Sequence, residues 1–201
     1  MEIPTPHRPL KSFREFLVHI VIVTIGILIA LWFDGIREGF HERQLVQEAR
    51  ENFRLDIGQN QAHLKAEIQN LDVTLGQISK ILKEDLSGGN NGTAGIAPSF
   101  YFFRNTSWDT ALSTGALAHM KPAEVVRYAE LHEAVSVYSE LEHTSLGVYL
   151  EYSALEDSSD QSAETIRKKR DRLLLLQHYL TVLRQMADQF SATLEAAKKA
   201  E

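Results

Sequence analysis

The chain has no cysteine among its 201 residues, which excludes a disulfide framework and any thiolate metal site. It has no glycine-rich phosphate loop after a strand and no G-x-S-x-G elbow, and its Ser residues next to His, as in His143-Thr144-Ser145, have no spacing that defines a triad. An enzyme is therefore disfavoured. Positive charge is scarce as well: 21 Lys+Arg against 27 Asp+Glu give a net charge of −6, and Arg8, Lys11 and Arg14 all lie in the first fifteen residues. The remainder is acidic, so nucleic acid is not an expected partner.

Charge is absent altogether from one stretch. Residues 16–33, FLVHIVIVTIGILIALWF, contain only His19 and Thr24 as polar groups. At about 1.5 Å per residue this run crosses about 27 Å of hydrocarbon as a helix, which satisfies its own backbone groups in lipid. Trp32 and Phe33 then fall at the far interface as aromatic anchors, and Asp34, Arg37 and Glu38 end the span. Large residues rather than an A-x-A-like site occupy the exit, so a retained signal anchor is expected instead of a cleaved signal peptide. The three basic residues before the span, against Arg37 and Arg43 after it, predict a cytoplasmic N-terminus. In a bacterium the protein would then sit in the inner membrane with its C-terminal part in the periplasm.

The expected organisation is a basic leader over 1–15, a transmembrane helix over 16–33, a stalk over 34–49 and a helical bundle over 50–201. Prolines at 4, 6 and 9 keep the leader extended. Gly35 and Gly39 bracket an expected polar turn. Beyond it, apolar residues at 46, 49, 53, 57, 64, 68, 71, 75, 78 and 82, with Asn60 in the one gap, recur with a period of about 3.6 and predict a helix from about 40 to about 85. LSGGNNGTAGIAPS, 86–99, breaks it, and the FYFF run at 100–103 is either a short strand or an aromatic plug. Whether that loop and run form a binding site is left open by the sequence.

Thr106 or Ser107 is a good N-cap for a short helix around Trp108, with Gly115 as its stop. Pro122 suits the first turn of a helix reaching about 156. In the last helix Leu173, Leu176, Leu180, Leu183, Ala187, Phe190, Leu194 and Ala197 occupy a and d positions of heptads, with Ile166 beginning the pattern and Lys169 as its one misfit. Three stretches, 50–85, 122–156 and 164–199, are each about 52 Å long at about 1.5 Å per residue. The predicted fold is all-α: one transmembrane helix continuing through a stalk into an antiparallel, up-down-up bundle of three helices plus one short helix at the membrane-distal end.

The chain resembles a family of bacterial single-pass membrane proteins without an assigned activity, in which a basic leader and a G-[IV]-L-I-A-L span run into a long charged helix. The matching residues are Gly26-Ile27-Leu28-Ile29-Ala30-Leu31 and, before the second helix, Trp108-Asp109-Thr110-Ala111-Leu112-Ser113-Thr114-Gly115-Ala116-Leu117. The resemblance covers most of residues 10–150. It implies an anchor with its N-terminus inside and a helical domain outside.

Few residues point to chemistry. Glu140 and His143 have the Glu-x-x-His spacing that di-iron bundles use twice, but the second copy, Glu38 and His41, is far along the chain at the membrane border. His132 and His143 are three turns apart, about 16 Å. No metal or other cofactor is expected. Arg167-Lys168-Lys169-Arg170, with Arg172 behind, reads as a solvated helix face near the membrane, and Trp108 as core. Small residues one turn apart, Gly26 with Ala30 and Gly35 with Gly39, offer a face for close helix approach. The expected function is a non-catalytic anchored protein whose bundle associates with itself or with another membrane protein. A sensory module with a separate transducer is the second reading, and a carboxylate-histidine metalloenzyme the third.

Overall fold

The computed structural model describes residues 13–86 and 95–199. The expected leader, apart from its last residues, and most of the 86–99 loop lie outside them. The fold is all-α: α1 spans Phe13–Leu86, α2 Thr106–Ser113, α3 Pro122–Glu156 and α4 Ala163–Lys198, with a 3₁₀ turn at Ala116–His119. Residues up to Leu45 form one compact unit and residues from Val46 onward another.

In the first unit α1 is unbroken, and the polar turn expected at Gly35 and Gly39 is absent. A glycine inside a helix costs only about 1 kcal/mol against Ala, which a helix this long absorbs. The side chains described between Phe16 and Phe33 are solvent-exposed, Trp32 by 64% and Phe33 by 61%. Here α1 is long and apolar enough to cross a membrane.

The second unit is a bundle of the rest of α1 with α3 and α4. Its helix ends follow from local chemistry. The Ser162 hydroxyl accepts the Thr165 N–H at 3.2 Å and starts α4. Pro122 occupies the first turn of α3, where its missing N–H leaves nothing unsatisfied. Gly115 adopts φ 77°, a left-handed conformation open to glycine, and turns the chain from α2 into the 3₁₀ turn. The N-cap position of α2 is Asn105, one residue before the expected Thr106 or Ser107, and its side chain makes no capping bond. Asp56 of α1 does that work from outside, accepting both the Ser107 N–H at 3.1 Å and the Ser107 hydroxyl at 2.5 Å.

Helix direction departs from the up-down-up expectation. Arg50 meets Glu124, and Phe53 stacks on Tyr128 with ring centroids 3.8 Å apart, so α3 begins beside the Arg50 turn of α1 and, with Glu67 near Tyr138 further on, runs parallel to it. α4 runs against both: Gln61 bonds Glu195, Asp72 bonds Arg184, and Ser79 bonds Gln177, while Glu151 pairs with Arg172. The order is up-up-down. Short loops force neighbours to be antiparallel, but the connection from α1 to α3 is long enough to recross the bundle before α3 begins. Two placements change with it: α2 sits beside Asp56, towards the Val46 end, and the basic run that opens α4 lies towards the other end, where Gln177 reaches Ser79.

The seams follow heptads. Leu173, Leu176, Leu180, Leu183, Ala187, Phe190, Leu194 and Ala197 are buried on α4, whereas Ile166, expected to begin the pattern, is exposed. Lys169 bonds Glu156 at 2.7 Å. On α1 a buried line after Phe53 runs through Ile57, Asn60, Leu64, Glu67, Leu71, Thr74 and Ile78, with Asp56 buried beside its start and Leu82 beyond its end. These alternate in steps of four and three, a 3.5-residue repeat. Glu67 and Thr74 therefore take the buried places that a 3.6 period assigns to Ile68 and Leu75.

Candidate functional site

The recrossing segment carries the most unusual chemistry. Residues 95–105 are neither helix nor strand, and Ser99 to Ser107 descend the groove between α1 and α3, antiparallel to both. Extended backbone has no internal hydrogen bonds, so its polar groups need partners elsewhere. Side chains of α1 provide them. Asn70 Oδ1 accepts the Ser99 N–H at 2.8 Å, His63 Nδ1 lies 3.3 Å from the Phe102 carbonyl, and Asn60 both accepts the Arg104 N–H at 2.7 Å and donates to the Arg104 carbonyl at 2.8 Å. Asp56 closes the series at Ser107. From residue 70 to 60 a helix rises about 15 Å, close to the about 17 Å that the extended steps from Ser99 to Arg104 cover.

The other wall is α3. Glu142 Oε1 accepts the Tyr101 N–H, and the Asn105 amide donates to Ser136 Oγ at 3.0 Å while its carbonyl meets His132 Nδ1 at 3.0 Å. Trp108 stacks on the His132 ring, with centroids 5.2 Å apart and planes 22° from parallel. Phe103 drives inward to meet Tyr138 of α3 and Phe190 of α4, each 5.2 Å away, and Phe102 stays exposed. Of the two readings for FYFF, the strand is not formed, and the plug is realised only by Phe103, which is half-buried against the core rings of Tyr138 and Phe190.

Beneath this strap lies a layer of interior acids. Glu67 is 1% exposed, Glu142 4% and Tyr138 not at all. Glu67 Oε2 and the Tyr138 hydroxyl make no hydrogen bond of good geometry among the described residues. Burial pushes the Glu67 carboxyl up to about 8, helped by the charge of Glu142 and partly offset by the nearby Tyr138 hydroxyl. Burial also raises Glu142 to about 7, against the opposing effect of the Tyr101 N–H. Tyr138 is raised by burial and then by both carboxylates, so it stays a neutral phenol.

A second polar feature is conventional. A groove of ≈ 580 Å³ between α1 and the start of α3 is lined by Arg50, Arg54, Lys121 and Arg127 with Glu51 and Glu124. Arg50 grips Glu124 in a two-point pair at 2.5 and 2.9 Å and holds its carboxyl below the usual range. Arg54 grips Glu51 likewise, at 2.6 and 2.9 Å.

The residues singled out from sequence fall as follows. Glu140 and His143 are exposed on α3, the His143 ring lies 6.3 Å from Phe102, and the buried acid of that turn is Glu142 between them. No group of three or more His, Asp or Glu that could hold a metal ion occurs among the described residues. In the basic run Lys168 pairs with Glu164 at 2.8 Å, and Arg172 with Glu151 at 2.9 Å. At Gly26, Gly35 and Gly39 an added Cβ would meet nothing within 4 Å. Trp32 and Phe33 touch edge to face at 5.3 Å. Glu67, Tyr138, Asn60, His63 and Asn70 were not legible as a site. Their one signal was a polar residue, Asn60, inside an apolar periodicity.

No family model, curated protein or solved structure matches the chain.

Proposed function

We propose that the chain is a non-catalytic, single-pass protein of the bacterial inner membrane, with its N-terminus in the cytoplasm and a periplasmic helical bundle that binds itself or another membrane protein. The observation that carries this reading is the contrast between two parts of α1. Residues 16–33 leave every described apolar side chain uncovered, whereas from Val46 onward the same helix buries a continuous seam. An apolar surface that large is stable only in lipid or against another protein. The resemblance of Gly26 to Leu31 and Trp108 to Leu117 to bacterial anchored proteins points the same way.

Orientation is tested by fusing alkaline phosphatase, or a fluorescent protein that matures only in the cytoplasm, after Glu201. The phosphatase fusion is expected to be active and the fluorescent one dark; the reverse pattern overturns the assignment. Association is tested by oligomer mass in mild detergent. Gly26 has open space around it within its own chain, so Gly26→Ile leaves the fold of one copy unstrained and reads packing between copies. The wild type is expected to be a dimer or larger and Gly26→Ile a monomer. An oligomeric Gly26→Ile places the contact elsewhere, and a monomeric wild type rejects self-association in favour of a different subunit. The sensory reading draws on one observation, the interior acids without a cation.

A further inference from the structure

Two carboxyl groups from different helices, Glu67 and Glu142, are buried near one another in the interior of the bundle, and no ion pair is made by either among the described residues. On α1, one turn from Glu67, His63 is directed to the Phe102 carbonyl. On α3, Tyr138 and Glu142 face Glu67, while His143 is exposed against the Phe102 ring. From α4 comes Arg184, which acts on Tyr138 at a distance while its guanidinium bonds Asp72 at 2.8 Å and Asp188 at 3.1 Å. From the strap come the Tyr101 N–H, which bonds Glu142, and Arg104, which lies 3.9 Å from Asp56. Both of these arginines already have an acid. An ionised Glu67 in this place has no counter-charge among the described residues, and the one side-chain donor near it is the Tyr138 hydroxyl, which makes no hydrogen bond of good geometry to it.

The two acids are not equivalent. Glu142 can carry charge at moderate cost because the Tyr101 N–H solvates it. Once it does, a second charge on Glu67 must form beside it, and like charges in one interior site strongly resist joint ionisation. The Tyr138 hydroxyl relieves that charge in part, and water must supply the rest. The α-helices on three sides hold their own backbone bonds, whereas the strap is held by side chains and can exchange those bonds for water one at a time. It is the cheapest wall to open.

We propose that the Glu67–Tyr138–Glu142 layer is a proton-operated latch, in which a proton on the carboxyl pair keeps residues 99–105 seated between α1 and α3, and loss of that proton lifts the strap and admits water to Glu67. Neutral carboxyls stabilise the closed form. Because the folded protein holds protons that the unfolded chain releases near the ordinary Glu value of about 4.3, the stabilisation is complete below that value. It is lost progressively as pH rises and is gone once Glu67 has titrated, at about 8. The proposal does not depend on which protein the bundle binds. The opened strap would expose the Phe103 ring and the polar edge of α1, and so would present a different surface in acid and in base.

The test uses the full chain in detergent. Urea unfolding is followed from pH 5 to pH 9 for wild type, Glu67→Gln and Glu142→Gln. For each proton held only by the folded state, the folding constant falls tenfold per pH unit, so wild type is expected to lose about tenfold to a hundredfold per unit between pH 5 and pH 7. Glu67→Gln is expected to reduce that slope by about one proton. In hydrogen exchange, corrected for the intrinsic pH dependence, the amides of Tyr101 and Arg104 are expected to lose protection above pH 8 while those at Leu180 and Leu183 keep theirs. Infrared spectra of the wild type supply a reading that needs no variant: a protonated-carboxyl band should persist at pH 6.5 and vanish by pH 9. A flat wild-type profile, an unchanged slope in Glu67→Gln, strap amides that lose protection only together with α4, or no protonated-carboxyl band at pH 6.5 overturns the latch.

Discussion

Leu180→Ala is expected to lower the unfolding free energy by about 2–5 kcal/mol, measured by denaturant melts of the full chain in detergent. Leu180 lies at the middle of the α4 seam and is 0% exposed, as are Leu176 and Leu183 on either side of it. Truncation removes buried apolar surface and leaves a cavity that three helices crossing the same level cannot easily close. Alanine is the better helix former, but only by a few tenths of a kcal/mol, which does not offset the lost packing. Arg172→Ala is the control. Its pair with Glu151 at 2.9 Å is half-exposed, and such pairs contribute about 0–1 kcal/mol. A loss below about 0.5 kcal/mol at Leu180 would mean that the seam does not hold the bundle together.

That seam was legible because its chemistry and its geometry agree: Leu173 to Ala197 repeat as apolar residues in heptads, and all of them are buried. On α1 they disagree. Apolar residues there also fit a 3.6 period, which selects Ile68 and Leu75, but a helix that packs along its length on two partners keeps its contact line at 3.5 residues. Burial then falls on Asn60, Glu67 and Thr74, one residue in each successive heptad. Hydropathy cannot find such positions, because it is the partner that makes them interior. At Asn60 the partner is the strap, whose backbone bonds to Asn60, His63 and Asn70 join residues 29 to 44 apart in sequence, and at Glu67 it is α3, through Tyr138 and Glu142. Helix direction was hidden for the same reason. Equal helix lengths allow either order, and the side chains that hold the recrossing segment decide between them. The apolar span needed no partner to be seen, since eighteen residues without a formal charge identify it alone.

Phe190→Ala is expected to cost about 3–5 kcal/mol and to loosen a segment in which no residue has changed. Phe190 is 3% exposed and closes a triangle of rings: its centroid lies 5.2 Å from Phe103 and 5.1 Å from Tyr138, and Phe103 lies 5.2 Å from Tyr138. The three rings come from α4, the strap and α3, and among the described residues the Phe103–Phe190 contact is the one that ties an aromatic ring of the strap to α4. The Phe103 contacts to both partners are edge to face, at 80° and 71°, the arrangement that ring quadrupoles favour. Phe103 is only half-buried, so Phe103→Ala is expected to cost less than Phe190→Ala. In the double variant the losses should not add. A coupling of about 0.5–1.5 kcal/mol between the two positions is expected from the ring pair itself. Hydrogen exchange separates that coupling from general weakening: in Phe190→Ala the amides of Tyr101 and Arg104 should lose more protection than those of α3. Additive losses, with strap and α3 amides affected alike, would show that the strap is held by its polar bonds to α1 and α3 and that Phe103 only fills space.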